Sequence, residues 1–398
     1  MIEFVGDRCS GCSACASACP KGCISMQPNS EGFLFPVVNH DVCVKCGLCD
    51  KTCPVLHPPV FEDEKKPTAF AVQNKDDAVR RDSSSGGAFT AVAEYVLARG
   101  GVVFGAMFNN DFDVVHGYIE TKNDIHKLRR SKYVQSRVGD SFKQAKQFLD
   151  AGRWVCFSGT PCQIAGLKSF LRKEYEKLVS VDIICHSVPS PKIWNNYKST
   201  QERKFNSKIK EVRFREKTFG FSNPTLTLLF ENGKKYAKGT IDPYLGAFNR
   251  GMVRKSCAEC AFKTWNRVSD LTLYDCWSIG KLLKEWDDNK GTGGILVHTA
   301  KALEVLKSSQ ADLAQKQVVL EKTMSLDGIK ATQRVKLSAT REAFFADLDN
   351  MDMYALQRKY FPVSLRSKFF ATIKPVFFRI GILKLLNQFK RSLERSKK

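Results

Sequence analysis

The sequence predicts a small α+β unit at the N-terminal end, then a larger α/β domain with a partly parallel sheet, and then a helical C-terminal region. Three observations predict it. Eight of the nine cysteines between residues 9 and 53 fall into two runs of identical spacing. After residue 69, short near-continuous apolar runs alternate with segments whose apolar residues recur at helical intervals. From about residue 300 onward the helical interval dominates.

The cysteine runs read Cys9-x2-Cys12-x2-Cys15-x3-Cys19-Pro20 and Cys43-x2-Cys46-x2-Cys49-x3-Cys53-Pro54. Each Cys-x2-Cys-x2-Cys stretch wraps tightly enough to set three thiolates on three irons of one cubane, and the fourth thiolate comes from the other run. Cys9, Cys12, Cys15 and Cys53 are therefore assigned to one [4Fe–4S] cluster, and Cys43, Cys46, Cys49 and Cys19 to a second. Between the runs, Ile24–Gln27 and Phe33–Val38 flank Pro28-Asn29-Ser30-Glu31-Gly32, a hairpin with a turn-rich tip. The whole is ferredoxin-like, of the bacterial two-cluster type. Structural zinc favours paired Cys-x2-Cys units and leaves the third and fourth cysteines unexplained. Disulfides suit an oxidising compartment. Cys23 is left over and reads as a small buried residue.

Composition narrows the class. At 398 residues the chain has room for two or three domains. The expectation is a cytoplasmic protein: no apolar core of a signal peptide precedes Cys9, and no run is long enough to span a bilayer. A net charge of +22 favours anionic partners. No nucleic-acid recognition motif accompanies it, so nucleic acid is not an expected partner.

Residues 1–57 are read as the two-cluster unit and 58–68 as a proline- and charge-rich linker. Residues 69–150 and 151–350 are the two parts of the larger domain, and 351–398 a basic amphipathic tail. Ser85-Gly86-Gly87 opens a helix over Ala88–Arg99, which Gly100-Gly101 ends. Val102–Phe108, Arg153–Phe157 and Leu178–Ile184 read as buried strands, with a helix over Gln163–Arg172 making the last two a parallel pair. Thr225–Phe230 and Lys235–Ala237, joined through Asn232-Gly233, read as a hairpin.

The two parallel strands each end in a cysteine-bearing loop, at Cys162 and at Cys185. Both thiols then emerge at the carboxyl edge, where open α/β sheets place their sites. With Cys257-x2-Cys260 they make four thiols, enough for a third [4Fe–4S] cluster or for zinc. Cys156, inside a strand, reads as core, and Cys276 is ambiguous. Ser85, Gly86 and Gly87 at a helix start could admit a phosphate, or the serine could simply cap the helix. Arg129, Arg130 and Lys132 beside Tyr133 and Gln135 could hold an anion or form a solvated loop. Arg213 and Arg215 alternate along a strand and would share a face. His186 reads as a cluster-tuning group, a proton shuttle or a hydrogen-bonded structural histidine. No G-x-G-x-x-G fingerprint marks a dinucleotide site.

These blocks carry a resemblance. Ser85-Gly86-Gly87, Ser131 to Ser136, Gly159 to Gly166, Cys185 to Ser190, Phe214-Arg215-Glu216-Lys217 and Cys257-x2-Cys260, in that order, resemble the coenzyme F420 hydrogenase/dehydrogenase beta-subunit family fused to an N-terminal ferredoxin. The resemblance implies a third cluster at Cys162, Cys185, Cys257 and Cys260, and a flavin, FAD, exchanging electrons with a deazaflavin or another acceptor. It leaves the use of coenzyme F420 itself open. It implies Ser85, Gly86, Gly87, Lys132 and Tyr133 as flavin or substrate residues and names no catalytic residue. It also admits a role in bacterial surface-polysaccharide biosynthesis. Two departures stand out: Ser187 where the family has glycine, and Tyr274-Asp275-Cys276-Trp277 where it has Gly-Asp-Phe-Trp.

In the tail, Phe378, Ile382, Leu385, Leu386, Phe389 and Leu393 share one helical face, with Lys384, Lys390, Arg391 and Arg395 off it. This suits peripheral contact with an anionic inner membrane face. The reading is a flavin-dependent iron–sulfur oxidoreductase serving a redox partner protein or a small-molecule substrate. The alternative is an electron-transfer subunit docked on a separate redox enzyme.

Overall fold

A computed structural model describes residues 2–61 and 66–381. Near the N-terminus, Ile24–Pro28 (β1) and Leu34–Val38 (β2) form an antiparallel hairpin, flanked by the short helices Ala14–Ala18 and Leu48–Lys51. Turning at its tip uses Gly32 at φ 81, a left-handed position.

The larger part is a mixed α/β structure. Its strands are Thr68–Asn74 (β3), Val102–Phe108 (β4), Val114–Ile119 (β5), Val155–Ser158 (β6) and Leu178–Ile183 (β7). Three more, Ile209–Glu216 (β8), Thr225–Phe230 (β9) and Lys235–Lys238 (β10), form a separate antiparallel sheet. Leu271–Asp275 (β11), Gly293–Val297 (β12) and Leu313–Val318 (β13) complete the main sheet. That sheet has eight strands in the order β13-β3-β12-β11-β7-β6-β4-β5. Its four central strands, β11-β7-β6-β4, run parallel, and every outer pairing is antiparallel. Parallel strands need cover on both faces, so they read as unbroken apolar runs. Val103, Cys156 and Val179 face the helices Ala88–Leu97 and Ala300–Ser308. Phe104, Phe157 and Leu178 face Ser141–Asp150 and Pro161–Leu171. Cys156 is core, and Cys276 is buried against Ala71 and Ile279.

A second core joins the sheet β8–β10 to the helices Pro191–Phe205, Pro243–Asn249, Arg341–Asp347 and Met353–Tyr360 around Trp194, Tyr197 and Tyr244. Burying each such aromatic contributes roughly 2–3 kcal/mol.

Two expectations are corrected. β13 lies in the stretch read as helical, because pairing with β3 at the sheet edge outweighs its mixed pattern. The stretch assigned to a tail from residue 351 begins as core: Met353, Leu356 and Phe361 are buried. The helix Leu365–Arg379 follows, lying against Phe219 through Phe378. The other apolar and basic tail positions, from Ile382 onward, lie outside the described residues. No helix among the described residues is long and apolar enough to cross a membrane.

Candidate redox centres

Two left-handed residues shape each cysteine run. Gly11 and Ser13 (φ 71 and 66) turn the first, and Lys45 and Gly47 (φ 52 and 70) turn the second at the same positions. Each turn folds the chain back so that successive thiols face one side. The Gly11 amide donates to Cys9 Sγ at 3.4 Å. Cys9, Cys12, Cys15 and Cys53 are all buried and close enough to interact. Burial, then the neighbouring Cys9 and Cys53, push the Cys12 thiol up to about 12. Such thiols stay protonated unless a bound cation draws off the proton. Cys19, Cys43 and Cys49 are half-buried, and Cys46 is exposed. Cys23 Sγ stands 3.3 Å from Cys19 Sγ and neighbours Cys43, a proximity its isolated position did not suggest.

The third set gathers at the carboxyl edge of the parallel strands. After β6, Thr160 and Gln163 form a capping box, and Pro161 starts the helix Pro161–Leu171, with Cys162 in its first turn. Cys185 follows β7, while Cys257 and Cys260 sit on and just after the turn Lys255–Glu259. All four line one cavity of about 160 Å³, together with Arg8, Ser10 and Val55 of the N-terminal unit. Burial, then Cys257, pushes the Cys185 thiol up to about 12, and burial pushes Cys257 up to about 11.

Among the described residues no group of three or more Cys, His, Asp or Glu side chains converges as a single metal ion requires. Tetrahedral zinc holds each sulfur at about 2.3 Å, which draws its ligands close together. A cubane takes one thiolate per iron and spreads them. Four thiols on one cavity supply the ligand set that one cubane needs. Buried polar atoms on this cavity, Ser187 Oγ and His186 Nδ1 among them, make no hydrogen bond among the described residues. Buried donors of that kind call for an acceptor, and sulfur supplies one. His186 Nδ1 is buried with no protein partner among the described residues. It stands edge-on to Phe248, and burial lowers its pKa to about 4.

A second cavity, about 620 Å³, is lined by Ser85, Gly86, Gly87, Lys132 and Tyr133, and shares Ser10, Cys162 and Cys185 with the first. Its size suits a small-molecule or cofactor site. Ser85 does not cap the helix. The cap is Gly87 at φ 85, and Ser85 Oγ donates to Thr292 O at 2.7 Å. Gly86 has no room for a side chain, since a Cβ would stand 2.3 Å from Val72 O.

The basic residues here are not free anion receptors. Arg130 pairs with Asp82 and Glu216 at 2.5 Å each, and Arg129 with Asp82 at 3.4 Å. Lys132 Nζ donates to the Lys127, Arg129 and Arg130 carbonyls, and burial lowers its pKa to about 7, with Arg130 adding to the effect. Lys217 Nζ holds the Arg80, Ser85 and Lys290 carbonyls in the same way.

Arg213 and Arg215 do not share a face. A register shift between Arg213 and Glu216, with Arg215 at φ 60, separates them. Arg213 pairs with Glu211, whereas Arg215 pairs with Asp275 at 3.0 Å, donates to Tyr133 Oη at 3.3 Å and lies over the Trp277 ring. The bulk of Tyr274 is absorbed by Gly294, where a Cβ would stand 2.0 Å from the Tyr274 ring. Two residues the sequence did not single out for this role, Gln135 and Arg254, tie the N-terminal unit to the body. Gln135 Nε2 donates to Ser10 O and Arg254 Nε to Cys9 O.

Residues 69–143 match the N-terminal model, and residues 152–321 the C-terminal model, of the coenzyme F420 hydrogenase/dehydrogenase beta subunit. Residues 8–56 match a 4Fe-4S dicluster domain. A subunit of the F(420)H(2) dehydrogenase of Methanosarcina mazei is 23% identical over 186 residues, covering 44% of this chain and 52% of that protein. Ferredoxin-1 of Caulobacter vibrioides is 39% identical over 67 residues, 16% of this chain and 55% of that protein. The PorD subunit of the pyruvate synthase of Methanothermobacter marburgensis is 35% identical over 49 residues, 12% and 51% respectively. The chain thus spans about half the length of the curated relatives it matches. A chain of the F420-reducing [NiFe] hydrogenase complex from Methanosarcina barkeri, solved with xenon derivatization, superposes over 68% of this chain and 92% of its own, at 18% identity and a TM-score of 0.47. With both halves of the beta subunit matched in order behind a dicluster domain, the chain belongs to the coenzyme F420 hydrogenase/dehydrogenase beta-subunit family.

Proposed function

We propose that this protein is an iron–sulfur, flavin-dependent oxidoreductase. Cys9, Cys12, Cys15 and Cys53, then Cys19, Cys43, Cys46 and Cys49, then Cys162, Cys185, Cys257 and Cys260 would each hold a [4Fe–4S] cluster, and the 620 Å³ cavity a flavin. Bound there, cubanes supply one-electron transfer and a flavin the exchange between one- and two-electron chemistry.

One observation carries the reading: Cys162 and Cys185 line both cavities. The thiol site and the cofactor-sized site therefore share a wall that carries two of the thiols. The protein's own part is positional. Gly87 and Ala88, at the start of the helix Ala88–Leu97, line the larger cavity, and a helix start is a favourable place for an anionic group. Tyr133, edge-on to Phe214 and tilted against Phe248, gives an aromatic wall.

A redox partner would dock over the exposed Cys46 loop, where Val42 and Val44 are exposed as well. That exposed set also favours the second reading, an electron-transfer subunit serving a separate enzyme. The helix Leu365–Arg379 leaves Leu365, Phe369 and Phe370 exposed beside the basic Arg366 and Lys368, which suits peripheral contact with an anionic membrane surface.

Iron, acid-labile sulfide and flavin per chain in anaerobically purified protein test the reading. About twelve irons with bound flavin support it. About eight irons remove the Cys162 set, and twelve irons without flavin favour the electron-transfer subunit.

A further inference from the structure

Arg254 is 1% exposed, and among the described residues its hydrogen bonds reach no carboxylate. Its guanidinium is held by neutral acceptors: Nε donates to Cys9 O at 2.7 Å, Nη1 to Gln135 Oε1 at 3.1 Å and Nη2 to Leu34 O at 3.0 Å. Phe35 lies 4.2 Å beneath it. Its backbone belongs to the other thiol set, because Arg254 O accepts from the Cys257 amide at 3.1 Å. A guanidinium stays charged in a protein. A buried, unpaired cation costs several kcal/mol unless negative charge lies near it.

The two sets it touches are themselves adjacent. A Cβ on Gly166, one turn along the helix from Cys162, would stand 3.0 Å from Cys12 Sγ. The contacts of Arg254 reach none of Cys19, Cys43, Cys46 and Cys49, and these thiols are half-buried or exposed, where water screens charge.

We propose that Arg254 is the shared counter-charge of the Cys9/Cys12/Cys15/Cys53 and Cys162/Cys185/Cys257/Cys260 sets. It raises the reduction potential of both and leaves the outer set nearly untouched. The physics is direct: reduction adds one negative charge to a cluster, and a nearby cation in a low-dielectric interior favours that added charge. This proposal rests on the function proposed above, in which both sets hold cubanes.

The test is a dye-mediated redox titration of the full chain, followed by electron paramagnetic resonance, with iron counted in each sample. At the poise where a wild-type inner set is half reduced, R254Q is expected to show both inner sets at least tenfold more oxidised, about 59 mV for a one-electron couple. R254K, which keeps the charge, should stay within about threefold. Q135E keeps Arg254 and its two backbone bonds but sets a carboxylate against Nη1, so it should reproduce the R254Q shift even if R254Q itself loses iron. Twelve irons with both ratios unmoved in R254Q, or unmoved in Q135E when R254Q loses iron, overturn this proposal alone. The same holds if the outer set moves as far as the inner sets. Eight irons in wild-type protein overturn the function reading and this proposal with it.

Discussion

Residues 9–15 and 43–49 follow the same path through space yet live in different surroundings. Gly11 matches Lys45, and Ser13 matches Gly47, all at positive φ. Around the first run, Gln135, Arg254 and Gly166 close in on every side. Around the second, Cys46, Val42 and Val44 are exposed. Spacing sets how a run folds on itself; environment sets what it can exchange electrons with. The glycine at position 11 makes the point. Lys45 shows that a side chain is tolerated at that left-handed position, so Gly11 is demanded by its neighbours: a Cβ there would stand 2.5 Å from Gln135 Nε2.

Exchanging the two residues gives the largest expected effect. Gly11→Lys should destabilise the fold by about 3 kcal/mol through overpacking and release the irons of the inner set. Lys45→Gly should change stability by about 1 kcal/mol or less. Urea unfolding and iron counting read both, and equal effects would erase the distinction between the two runs.

Acid should weaken the body, where the buried histidines lie, rather than the N-terminal unit, whose His40 and His57 are exposed. Burial lowers the pKa of His116 from 6.5 to about 4. The unfolded chain therefore binds a proton that the native chain refuses, and stability is lost as pH falls from about 6.5 toward 4. Burial raises Asp182 and Asp242 to about 6, which acts in the opposite direction over the same window. The histidine contribution is best isolated by substitution. Between pH 7 and 5, His116→Gln should lose about 2 kcal/mol less stability than wild type, and identical pH profiles would count against a neutral buried His116.

Gly166→Ala pushes a methyl group against Cys12 and should cost a further 1–2 kcal/mol, roughly, of unfolding free energy. No change would mean that the two thiol sets are not in close apposition. The smallest effect belongs to the outer set. Cys23→Ala should cost about 1 kcal/mol of buried contact and leave the iron count unchanged. Loss of four irons would instead make Cys23 a ligand.

Much of the architecture was legible because it depends on neighbours along the chain. The strand at residues 102–108 is apolar on both faces, and the hairpin around Asn232-Gly233 carries its turn in its own residues. Pro161 and the Thr160–Gln163 pair announce a helix start. The C-terminal strand Leu313–Val318 was not legible, since its partner lies some 240 residues away in the chain, at residues 69–74. Nor was the state of the basic residues. Arg129, Arg130 and Lys132 look like an anion site when read in line, but Asp82, Glu216 and three backbone carbonyls occupy them.

The sequence by itself determined the chemistry on offer: twelve cysteines at spacings that suit cubanes, a glycine-opened helix, and a parallel strand pair ending in thiols. These are properties of a few consecutive residues and their backbone dihedrals. Tertiary structure decided which thiols are sealed and which are exposed, and that one buried arginine contacts the backbone of two of the sets. Burial and charge compensation are sums over segments far apart in the chain, and no local pattern encodes such a sum.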